Sequence, residues 1–237
     1  MNKREQQRKI KEQKQQQARQ REHTRKLLFK VATFGVAPLL LFLVIYTMFS
    51  QGPVYSPIEL ATDDHIRGNI DNPISIVVYA DFQCPACATE FEDMNRLWPQ
   101  ISDKAFMVFR HYPITTVHGN TWTASLYAEA AARQDGFWAM HDYLFQTQRA
   151  WTNLSSSEAE AQFDSYALEL NLELDQLHAD LELEAVTTKV RNDQRGGNAS
   201  GVRSAPAVFI NGRQLNRPTR ERIREVVNEE YAELSGD

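Results

Sequence analysis

The feature that most narrows the folding options is a junction at residues 74–87. Ile74-Ser75-Ile76-Val77-Val78-Tyr79-Ala80 is a short apolar run, rich in β-branched residues, of the kind that fills a buried strand. Asp81-Phe82-Gln83-Cys84-Pro85-Ala86-Cys87 follows at once. Phe91, Met94, Leu97 and Trp98 then recur at helical spacing up to Pro99. Cys84 and Cys87 are the only cysteines among 237 residues. A disulfide between them closes too short a loop to constrain the unfolded chain, because that stabilisation grows with loop length. The pair therefore suits a redox switch better than a staple. No second Cys-x-x-Cys exists, and His111, His118, His141 and His178 lack ligand spacing, so no metal site is expected.

The chemistry of such a switch explains its place in the chain. The thiolate is the nucleophile of thiol–disulfide exchange, so one cysteine must ionise easily. Cys84 stands where a helix begins, and the unpaired N–H groups and positive dipole end there stabilise a negative charge. Pro85 fits the first turn, where its missing N–H costs nothing. Cys87, one turn deeper, is expected to be the less exposed resolving thiol.

The N-terminal part points to a compartment. Residues 1–30 hold eleven Lys/Arg and three Glu, a net +8, while the remainder carries −13. An acidic body argues against nucleic acid as the partner, since phosphate binding needs concentrated Lys/Arg. Residues 31–49 contain no charge and at about 1.5 Å per residue reach the thickness of a bilayer core. Lys26 and Lys30 precede the run, and no Ala-x-Ala cleavage site follows it. Residues 31–50 are thus expected to form one transmembrane signal anchor behind a basic cytoplasmic tail, 1–30. With no Lys or Arg after the span until Arg67, the N-terminus stays cytoplasmic and the body lies outside, periplasmic or extracytoplasmic, tethered to the cell (inner) membrane.

Residues 51–72 read as a linker and lead-in, rich in Gly, Pro and Asn. Ala105-Phe106-Met107-Val108-Phe109-Arg110-His111 reads as a second strand, parallel to the first because a helix separates them. From Asn120 to about Gly201 the pattern is helical, with Trp122, Leu126 and Tyr127 on one face and a capping box at Ser155-Ser156-Ser157-Glu158. Ala207-Val208-Phe209-Ile210 runs into Asn211-Gly212, a type I′ hairpin signal, and Pro218 suits the first turn of a closing helix. The order gives an α/β fold for residues 73–237: a thioredoxin-like core with an inserted helical domain at about 116–200, preceded by one transmembrane helix.

Several stretches together resemble the DsbA-like thioredoxin-fold family over about residues 60–234, closest to the membrane-anchored, BdbD-type oxidases. They are Asp64-His65-Ile66-Arg67-Gly68, Ala80 to Cys87, Phe109-Arg110-His111-Tyr112-Pro113, Phe137-Trp138-Ala139-Met140-His141-Asp142 and Gly201 to Gly212. The resemblance implies an extracytoplasmic thiol:disulfide oxidoreductase in which Cys84 attacks and Cys87 resolves. It also implies that Pro206 is cis against the cysteine pair and that Ala205 offers backbone groups to an extended substrate. On residues alone, the alternative reading of Pro206 is a turn proline opening a strand. Two departures, Ala86 where strong oxidants often have His and Val78 where many members have a buried Glu, imply a weaker oxidant than the prototype. Asp81 and Glu90 are alternative proton carriers, read as ordinary surface or capping acids.

The function expected is disulfide exchange with cysteine-containing extracytoplasmic proteins, run as an oxidase and recharged by a membrane redox partner. The Cys84–Cys87 disulfide is the only redox group and no further cofactor is expected. The alternatives are a reductase or isomerase using the same pair, or a binding or chaperone module without redox turnover.

Overall fold

The computed structural model describes residues 56–236, together with positions 21, 26, 33, 35, 38, 39 and 42. The basic tail at 1–30 and the apolar run at 31–49 lie almost wholly outside the described residues. Among the described residues, no helix is long and apolar enough to cross a membrane. The chain divides into Met1–Gly52 and Pro53–Asp237, and the elements below belong to the second unit.

Five strands form one sheet: β1 (His65–Arg67), β2 (Ile74–Ala80), β3 (Ala105–His111), β4 (Ala207–Ile210) and β5 (Arg213–Gln214). Their spatial order is β1-β3-β2-β4-β5. β2 and β3 are parallel with Val78 opposite Phe109, as a crossover through α1 (Pro85–Leu97) requires. β4 runs antiparallel to β2, pairing Val78 with Val208. The central position of β2 explains its unbroken apolar sequence. Ile74, Ile76, Val78 and Ala80 feed one core, and Val77 and Tyr79 feed a second core on the other face. Each fully buried Ile or Val contributes about 1.5–3 kcal/mol, so both faces stabilise the strand.

Six helices fill the stretch between β3 and β4: α2 (Thr121–Ala132), α3 (Phe137–Gln146), α4 (Gln148–Trp151), α5 (Ser156–Glu169), α6 (Leu174–Leu181) and α7 (Glu184–Ala199). The closing helix α8 (Arg220–Ser235) lays Ile223, Val226 and Val227 into the first core. That core runs without a break from the sheet through Tyr127, Phe137, Leu144 and Phe163 of the insertion. The helical insertion therefore shares the sheet's core and does not build one of its own.

Four sequence expectations change in detail. The stretch read as linker and lead-in supplies the edge strand β1, and Asp64 within it forms a buried ion pair with Arg110 at 2.8 Å. On α2, Ala124, Tyr127, Ala128 and Ala131 are buried while Trp122 and Leu126 are only half-buried, because α3, α6 and α7 all pack against this helix and favour small residues. α7 runs through Gly196-Gly197 to Ala199. A Cβ at Gly197 would stand 2.9 Å from Tyr112 and 3.0 Å from Tyr79, so glycine is what lets this helix approach the sheet. Pro218 lies before the helix, whose N-cap is Thr219 accepting from the Arg222 N–H. The capping box at Ser155 and Glu158 forms with both reciprocal bonds. At the hairpin, Asn211 and Gly212 have φ of 46° and 78°, the left-handed pair that a type I′ turn needs.

Candidate active site

The turn from β2 into α1 places Cys84 at the N-cap, in extended conformation, with Pro85 directly after it. No side chain caps this end, so its backbone donors are left for the sulfur. Cys84 is half-buried, Cys87 is fully buried, and both are free thiols. The Cys84 thiol is lowered to about 6, first by the hydrogen bond from the Cys87 thiol and then by the N–H groups of Cys87 and Ala86. Partial burial and the charge of Asp81 act against this. Burial, followed by its bond to Cys84, pushes Cys87 far above the usual thiol range. Two chemically identical side chains three positions apart thus become a nucleophile and a protected thiol.

Of Ala205 and Pro206, expected beside the pair from the resemblance, the loop ahead of β4 brings Ala205 to Cys84. The Cys84 thiol faces the Ala205 carbonyl oxygen at 3.6 Å, and the Ala205–Pro206 peptide is cis.

The turn itself is fixed by Asp81 and by groups to which sequence reasoning gave no role. Asp81 is fully buried rather than a surface acid. Its Oδ1 accepts from the Gln83 N–H at 2.8 Å and the Thr121 hydroxyl at 2.5 Å. Its Oδ2 accepts from the Ile114 N–H and from His118 Nδ1, each at 2.8 Å. The Asp81 N–H donates to the Cys87 sulfur at 3.4 Å. Gln148 of α4, also buried, donates to the carbonyls of Phe82 and Cys84 at 2.8 and 2.9 Å. Gln83 bonds the Thr152 carbonyl and receives the Asn120 N–H. The insertion therefore clamps the motif from α2 and α4. No periodic signal marks Gln148, and the sequence showed His118 only as a histidine without ligand spacing.

Alongside α1 lies a small pocket of about 20 Å³, room for one water, lined among others by Val78, Glu90, Phe91, Phe109 and His141. Glu90 is not a surface acid either: its Oε1 is buried without a partner, and burial, then Asp93, raises its carboxyl to about 8. Burial likewise lowers His141 to about 4, against its bond to Asp142, so this ring is neutral beside the aromatic cluster. Among the described residues, no group of three or more His, Cys, Asp or Glu is arranged to hold a metal ion.

Comparison with known proteins follows the geometry. The curated relatives include a Na(+)/H(+) antiporter NhaA 3 of Salinispora tropica, 34% identical over 155 residues, covering 65% of this chain and 22% of the relative. Another is an NhaA antiporter of Herminiimonas arsenicoxydans, 36% identical over 152 residues, covering 64% and 23%. The chain spans about a fifth of the length of these relatives. Among solved structures, BdbD of Bacillus subtilis matches with a TM-score of 0.62 at 19% identity, covering 76% of this chain and 99% of that one. The α-DsbA1 of Wolbachia pipientis matches with a TM-score of 0.64 at 17% identity, covering 73% and 94%. These structures share the fold. The sequence profile of the family described as Thioredoxin covers residues 60–229, which takes in the cysteine pair, the helical insertion and the Pro206 loop, and the chain belongs to this family.

Proposed function

We propose that this chain is a protein thiol:disulfide oxidoreductase that works outside the cytoplasm, most simply as an oxidase. The observation that carries the reading is the asymmetry of the pair: a half-buried Cys84 lowered to about 6 over a buried, strongly raised Cys87. In the oxidising direction, a substrate thiolate attacks Cys84 Sγ of the Cys84–Cys87 disulfide. The intramolecular S–S bond breaks, and Cys87 leaves as a thiolate that takes up a proton. A second substrate thiolate then attacks the substrate sulfur of the mixed disulfide. Cys84 is released as the stabilised thiolate, and the substrate has lost two electrons to the pair. The sulfurs carry both electrons, so no other cofactor enters the reaction.

Ala205 and Pro206 are proposed to receive the substrate chain, supported by the approach of the Ala205 carbonyl to Cys84. The substrates are cysteine-containing extracytoplasmic proteins. The charge-free run 31–49 behind eleven basic residues supports a single-pass anchor in the cell membrane, with a membrane redox partner reoxidising the pair. BdbD and α-DsbA1 are among the solved structures that share its fold. The antiporter names belong to much longer proteins, and no transport is proposed here.

Replacing Cys87 with Ala tests the reading, because a mixed disulfide at Cys84 then cannot resolve. Substrates trapped on Cys84, with loss of disulfide formation, support it. An absence of trapped species, with function intact when both cysteines are replaced, points to a binding module. A mostly reduced pair in vivo points to the reductase or isomerase direction.

A further inference from the structure

Opening the disulfide leaves one proton to be supplied. Cys87 departs as a thiolate inside the core, where burial pushes its thiol far above the usual range. Cys84, by then bonded to the substrate sulfur, has no hydrogen to give. Of the acids nearest the pair in the chain, Asp81 is fully engaged. Each of its oxygens accepts a backbone N–H, from Gln83 and Ile114, and its charge opposes a thiolate at either sulfur. Glu90 has the opposite character. It follows Cys87 by three residues on α1, the spacing at which helical side chains are neighbours. The residue is half-buried, but its Oε1 is shut away without a partner, and it lines the one-water pocket with Arg67, Asn95 and His141.

The groups around Glu90 leave its proton in place. Arg67 of β1 is already paired with Asp142 at 2.7 Å, and the buried His141 ring of α3 is neutral. β2 and β3 contribute only Val78, Met107 and Phe109 to the pocket. Asp93, on the same helix, adds a negative charge that favours the protonated carboxyl. Asn95 is exposed, which gives the pocket a side toward solvent. We propose that Glu90 is the proton store of the resolving thiol, handing its proton to Cys87 as the disulfide opens. The O–H bond of the carboxyl breaks, the S–H bond of Cys87 forms, and the electron pair stays on the carboxylate, which is reloaded from solvent through the pocket. In the reverse direction the carboxylate accepts the Cys87 proton and frees the thiolate to close the disulfide. Held protonated up to about 8, the store is full at neutral pH and empty in alkali.

The inference rests on the exchange reading, and one experiment separates the two. The full oxidised chain is mixed with an excess of a two-cysteine peptide between about pH 6 and 10. The rate of a single turnover is then divided by the thiolate fraction of the peptide, since the thiolate is what attacks. In wild type this corrected rate is expected to stay level to about pH 8 and to fall beyond it. Glu90→Gln keeps the shape of the side chain but carries no acid. It is expected to be about tenfold slower than wild type at the acid end and to converge with it at the alkaline end. Glu92→Gln, which removes an exposed acid from the same helix, should superimpose on wild type. Superimposable profiles for folded Glu90→Gln and wild type, or a ratio between them that is constant with pH, would overturn the proposal. So would a wild-type profile without the fall, which keeps the test decisive if Glu90→Gln does not fold. A peptide left reduced by all three proteins at every pH would instead overturn the exchange reading, and the inference with it.

Discussion

The thiol of Cys84 lies 3.6 Å from the carbonyl oxygen of Ala205, a residue 121 positions later in the chain. That contact joins the helix start to the loop ahead of β4, so nucleophile and candidate substrate-binding backbone come from distant parts of the sequence. An extended substrate that pairs with this loop would present its sulfur directly to Cys84. The remaining features of the site concern how readily that sulfur ionises and what holds it in place.

The two thiols are expected to differ sharply toward alkylation. Iodoacetamide should label Cys84 of the reduced protein at pH 7 and leave Cys87 unlabelled until the chain is unfolded, as peptide mass analysis can read. The rate at Cys84 should rise with pH through about 6 and then level, because the thiolate reacts and its folded-state midpoint lies there. Equal labelling of both cysteines in the folded protein would contradict this.

The same shift ties stability to redox state. The Cys84 midpoint in the fold lies below its unfolded value of 9, so its contribution is fully present above pH 9 and is lost as pH falls to about 6. The disulfide form has no thiol to titrate. The reduced protein should therefore gain stability relative to the disulfide form as pH rises between 6 and 9, measurable as melting temperatures of the two forms across that range.

With neither a histidine between the cysteines nor a buried Glu at position 78, the pair should be a tempered oxidant. A thiol near 6 sits between the thioredoxin and DsbA values of about 7 and 3.5. Its potential is accordingly expected between about −270 and −120 mV, read from equilibrium with glutathione. A value at the oxidising extreme would show that some other group stabilises the reduced form.

Gln148 holds two carbonyls of the motif turn from inside the core. Gln148→Ala leaves the Phe82 and Cys84 carbonyls without this donor, at a cost of about 1–3 kcal/mol in urea unfolding. An unchanged midpoint would mean that water replaces the amide without loss.

Glu90 should respond to pH in the opposite sense to Cys84. Its carboxyl is raised from 4.5 to about 8, so folding holds it neutral where the unfolded chain ionises it. That penalty is absent below pH 4.5, grows up to pH 8 and is constant above. Glu90→Gln is therefore expected to leave stability unchanged at pH 4 and to raise it by about 1–3 kcal/mol at pH 9.

What the sequence determined by itself was whatever depends on neighbours along the chain. Ile74–Ala80 and Ala105–His111 form strands with the bounds their apolar runs suggested, since burial on both faces leaves no alternative pattern. Asn211-Gly212 makes its turn because those two residue types tolerate positive φ, and Cys84 opens a helix because Pro85 follows it. The resemblance added Ala205 and Pro206, and the fold brings that loop to the sulfur. Only the tertiary structure decided the states of the acids and the identity of the clamps. Asp81 and Glu90 look alike on paper, yet one has four donors and the other a buried oxygen with none. His118 and Thr121, which bond Asp81, and Gln148, which holds two carbonyls of the turn, arrive from loops and helices with no fixed spacing from the motif. A buried polar group takes its ionisation from whatever donors surround it in space, and that set is not written in any local pattern.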